Sequence, residues 1–100
     1  MADNKKRPLD RQQILALRAR AHHLNPVVMV GQRGLTEAVI RETETALEAH
    51  GLIKVRIFGD ERGERIAIAQ DLCAATGAEL VQHIGKLAVL FREPEDDGKR

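Results

Sequence analysis

Tryptophan and tyrosine are missing from this chain, and phenylalanine occurs only at Phe58 and Phe91. Readers of single-stranded nucleic acid of the RRM and OB type stack bases on rows of exposed aromatic rings. Two rings do not make such a row. Cysteine occurs once, at Cys73, which excludes an intramolecular disulfide and a cysteine-built zinc cluster. No apolar run approaches the roughly 20 residues of a membrane-spanning helix. The stretch MADNKKRPLD has no apolar core, so no secretory leader is read there and a cytoplasmic setting is expected. Catalytic motifs are missing too: there is no Walker-type phosphate loop, no HExxH and no recognisable nucleophile–base set. His22, His23, His50 and His83 lack metal-ligand spacing, and Asp60, Glu61 and Glu64 read as helix-start acids. No enzyme, cofactor or metal site is expected.

Net charge is nearly absent at +1, but the charges are unevenly placed. Residues 1–34 carry seven basic side chains and two acidic ones. Residues 36–50 carry Glu37, Glu42, Glu44 and Glu48 against Arg41. A polyanion is therefore steered towards one side of the molecule. With 43% hydrophobic and 31% charged residues, the 100 residues suit one soluble domain with one core, and a monomer is expected.

Taken in order, residues 1–8 read as a mobile basic arm, in which Lys5-Lys6-Arg7 is either a solvated terminus or a weak phosphate tether. Asp10 caps a helix to about His22 that buries Ile14, Leu17, Ala21 and Leu24. Arg11, Arg18 and His22 form a second line on it. Val27–Val30 is apolar at every position and reads as a strand covered on both faces, one of them by this first helix. A second helix, roughly Glu37–His50, turns Val39, Ile40, Thr43, Ala46 and Leu47 to the core and Glu37, Arg41, Glu44 and Glu48 outward. Strand two, Ile53–Phe58, alternates, with Ile53, Val55 and Ile57 facing one way and Lys54 and Arg56 the other. A third helix to about Thr76 buries Ile66, Ala69, Leu72, Cys73 and Thr76. Cys73 reads there as a small core residue. Strands Glu79–Ile84 and Leu87–Phe91 are joined by Gly85-Lys86, a fit for a type II′ hairpin. The charged tail 93–100 reads as disordered. The order is α-β-α-β-α-β-β. It implies an α/β fold with a mixed four-stranded sheet, parallel where βαβ units join strands, with helices two and three on one face.

The stretch around which the rest is arranged is PVVMVGQRGLTEAVI, residues 26–40. Gly31, Gln32, Arg33 and Gly34 break an apolar strand, and Thr36 caps the helix that follows. This puts an arginine and free backbone N–H groups at a helix N-terminus, a setting that suits a phosphate. Lys54, Arg56, Lys86, Arg11 and Arg18 add charge if they share that surface.

Leu24-Asn25-Pro26-Val27-Val28, Val30 to Thr36, Leu52 to Arg56, Ile84-Gly85-Lys86 and Val89 to Arg92 together resemble the CRM domain. As a small single-domain chain, it is similar to the stand-alone bacterial YhbY family over roughly residues 9–92. The resemblance implies a fold similar to the C-terminal domain of translation initiation factor three. It also implies a glycine-flanked loop like that of KH domains, which clamps a nucleic-acid backbone. It further implies non-catalytic binding of ribosomal RNA in large-subunit precursors. Three positions depart from the family pattern: Gln32 stands where a basic residue is common, Leu87 where a polar one is, and Phe91 where tyrosine is. Arg33 is then the loop's only charge. The alternative reading is a protein-interaction module, in which the acidic face of helix two or the tail docks a basic ribosomal protein or assembly factor.

Overall fold

Capping chemistry sets the first helix, α1 (Arg11–Ala21). The Asp10 carboxylate accepts from the Gln13 N–H at 2.8 Å, and the Gln13 side-chain oxygen accepts from the Asp10 N–H at 2.9 Å. The structure, a computed structural model, describes residues 9–93. The basic arm and all of the tail beyond Glu93 lie outside the described residues. After α1 come β1 (Pro26–Val30), α2 (Glu37–His50), β2 (Leu52–Ile57), α3 (Arg62–Thr76), β3 (Glu79–Ile84) and β4 (Leu87–Phe91). Each expected element is present. Strand two is shifted by one residue, starting at Leu52 and ending before Phe58.

The strands form one mixed sheet in the order β1-β2-β4-β3. β1 runs parallel to β2 through the α2 crossover, and β4 lies antiparallel to both β2 and β3. The hairpin partner is thus inserted between β2 and β3 rather than added outside. This leaves β1 and β3 as the two edges.

Helices cover the two faces unequally. On one face α2 and α3 bury Leu47, Ala69, Leu72 and Cys73 against Val28, Val30, Ile53, Val55, Ile57, Ala88 and Leu90. On the other, α1 buries Leu17 and Ala21 against Leu52, Val81 and Val89. The expectation that β1 is covered on both faces fails. Val28 and Val30 are buried, but Val27 and Met29 are 54% and 55% exposed. The cause is position: α1 packs over β2, β4 and β3, and an edge strand outside its footprint keeps one face open. The α1 face of the sheet is therefore only partly roofed.

The acidic face of α2 is also less uniform than its spacing suggests. Glu44 turns towards Arg92, whose Nη1 donates to Glu44 Oε1 at 2.7 Å and to the Thr76 carbonyl at 2.7 Å. The Arg92 N–H donates to the Gly51 carbonyl at 2.9 Å. One arginine at the end of β4 thus ties together α2, the end of α3 and the start of β2.

Candidate nucleic-acid interface

The Gly31–Gly34 segment leaves the C-terminal end of β1 as a closed turn, the Gly34 N–H donating to the Gly31 carbonyl at 3.0 Å. Gly34 has φ +73°, in the left-handed region that side chains with a Cβ rarely adopt. Gly31 has no such φ, and a Cβ there meets nothing within 4 Å. Arg33 is exposed and forms no ion pair among the described residues. Thr36 Oγ1 accepts from the Val39 N–H at 3.1 Å, while the N–H groups of Glu37 and Ala38 emerge from the end of α2.

Two other segments lie at the same end of the sheet, the end of β2 and the β3–β4 hairpin tip. The Phe58 N–H donates to the Val30 carbonyl at 3.0 Å, and the Ile57 N–H to the Lys86 carbonyl at 2.7 Å. The β3–β4 hairpin tip, with Gly85 at φ +57° and Lys86 at a negative φ, therefore sits beside the end of β2. Its dihedrals suit the expected II′ turn. Arg56, exposed on the α1 face of β2, places its guanidinium carbon 5.8 Å from the centre of the Phe58 ring. Lys54 lies two residues earlier on the same face and is half-buried. The exposed β1 side chains beside them, Val27 and Met29, complete a surface that carries two cations and no carboxylate among the described strand residues. Around the turn itself Glu37, Asp60 and Glu61 are exposed, so its positive charge is local to Arg33 and Lys86.

The structure thus brings Gly31, Gln32, Arg33, Gly34, Arg56 and Lys86 to one end of the sheet, with Lys54 on the adjoining face. It does not bring Arg18 there: exposed on α1, its Nε reaches the Val81 carbonyl of β3 at 3.4 Å, on the edge opposite β1. Arg11 is exposed at the start of the same helix.

Sequence reasoning missed Arg65. From the first turns of α3 its Nη1 donates to the Gly59 carbonyl at 2.7 Å and its Nε to the Gly85 carbonyl at 3.0 Å. It latches the β2–α3 loop to the hairpin tip and so positions Lys86. A clue was present: Arg62 and Arg65 stand at the start of a helix, where the helix dipole disfavours cations. Such a placement suggests that another partner holds them.

A glycine turn between an edge strand and a helix N-terminus, on a mixed four-stranded sheet with two helices on one face and one on the other, defines an α/β module. The chain belongs to the CRS1 / YhbY (CRM) domain family, whose model matches residues 9–92. It is 44% identical over 85 residues to a Pseudomonas aeruginosa protein named "Probable RNA-binding protein", covering 85% of this chain and 82% of that one. It is 46% identical over 88 residues to a Haemophilus influenzae protein named "RNA-binding protein", covering 88% and 89%. A solution structure from Staphylococcus aureus, of a protein described as a candidate RNA binder, matches with a TM-score of 0.80 at 33% identity, covering 92% of this chain and 96% of that one.

Proposed function

We propose that this chain is a non-catalytic RNA-binding protein that engages ribosomal RNA in large-subunit precursors through the Gly31–Gly34 turn and the basic surface beside it. The observation that carries the reading is Arg33: solvent-exposed, without an ion partner among the described residues, and mounted on a closed glycine turn at the start of α2. Relatives named for RNA binding support the ligand class. The ribosomal target follows from the family resemblance. Such a site grips phosphate and sugar, so affinity falls steeply with salt and depends little on sequence. Protein docking on the outer face of α2 is the weaker reading, because Glu44 is committed to Arg92.

Filter binding of large-subunit rRNA across a salt series tests the proposal. Arg33→Ala should weaken binding and reduce the log–log salt slope by about one. Gly34→Asp, which strains the left-handed position and adds an anion, should weaken it further. Unchanged affinity in both variants removes the turn from the mechanism.

A further inference from the structure

At the end of the sheet away from the glycine turn there is a pocket of about 410 Å³. It is assembled from the end of α1 and the loop after it, the first residues of β1 and β2, and the last turn of α2. Leu24, Val27 and Leu52 make an apolar wall. Arg20, Lys54, Asn25 and His50 stand around it, and no carboxylate lines it among the described residues. Neither cation forms an ion pair among the described residues, and Val27 is held 54% exposed beside Lys54.

We infer that this pocket seats one unpaired nucleotide of the bound RNA; the inference rests on the RNA-binding reading above. The lining matches the parts of a nucleotide separately. A base face covers the apolar wall, and the Asn25 amide and His50 imidazole both donate and accept towards a base edge. Arg20 and Lys54 meet the phosphate. An apolar peptide would leave both cations unanswered. A paired base cannot enter, so the ligand here is single-stranded. β1 joins the two sites: from Pro26 to Val30 a strand rises about 13 Å, and Met29 and Arg56 lie on the same face between pocket and turn. A short single strand running along β1 therefore touches both ends.

Fluorescence anisotropy and backbone amide NMR on the full chain test this, with two probes: a single-stranded oligoribonucleotide of about ten residues and an RNA duplex of the same length. The single strand should shift the amides of Asn25, Val27, His50 and Lys54, and the duplex should not. The Asn25→Ala/His50→Ala double variant, altered at exposed positions, should lose about tenfold in affinity for the single strand and nothing for the duplex. Arg20→Ala should lower the salt slope for the single strand by about one. If Arg33→Ala weakens both probes while the double variant weakens neither, or both equally, the pocket assignment fails and the RNA reading stands. If neither probe binds, both fall.

Discussion

His83 shows how a single side chain takes its character from neighbours distant in sequence. It lies on β3 facing α3, with both ring nitrogens enclosed and without a hydrogen-bond partner among the described residues. Burial lowers its pKa below the ordinary 6.5, and the Arg62 and Arg65 cations lower it further. Because the folded-state pKa is depressed, the unfolded chain takes up the proton first as pH falls. Stability should therefore be flat above about 6.5 and decline below it, until the folded-state pKa is also passed. Thermal melts between pH 7.5 and 5 should show this decline, and His83→Leu should flatten it. An identical pH slope in the variant would exclude His83 as the source. From the sequence, His83 is one of four histidines with no distinguishing spacing. The arginines that perturb it come from a helix some twenty residues earlier, so nothing local marks it.

At the scale of elements, local rules read well. The caps at Asp10 and Thr36 and the Gly85-Lys86 hairpin were all legible, because each acts within three or four residues. The Arg65 latch was not, since it joins α3 to a carbonyl twenty residues away. Its prediction follows from geometry. Two carbonyls held at 2.7 and 3.0 Å from two nitrogens of one guanidinium need the planar fork. Arg65→Ala and Arg65→Lys should both speed amide exchange at the hairpin tip and the β2–α3 loop, and both should weaken RNA binding without a direct contact being lost. If lysine restores exchange rates and affinity, the bidentate latch is not what positions Lys86.

At the scale of the whole molecule, Arg92 ties the end of β4 to α2, the end of α3 and the start of β2. Arg92 and Glu44 side chains are 22% and 39% exposed, so solvent screens their ion pair and its own worth is small. The larger cost of Arg92→Ala is the Thr76 carbonyl left without that donor at the end of α3. We expect a loss of about 2 kcal/mol in urea unfolding and a fall in Tm of about 10 °C. Glu44→Gln, which keeps an acceptor for the guanidinium, should cost less than half of that. Equal losses in the two variants would put the energy in the ion pair instead.

Acting alone, the chain determined its elements, its caps and turns, the core stripes of α1 and α2 and most of that of α3, where Ile68 rather than Ile66 packs on the core, and the glycine turn with its arginine. These depend on periodicity and short-range hydrogen bonding, which are written into neighbouring residues. Tertiary structure decided that β1 is an edge with one open face, that β4 slips between β2 and β3, that Glu44 pairs with Arg92, and that Arg18 anchors to β3 rather than joining the turn. It also built the pocket, whose walls come from four elements and the loop after α1. Each of these depends on which elements become neighbours in the sheet, and that is settled by the packing of both faces at once, not by any stretch of sequence.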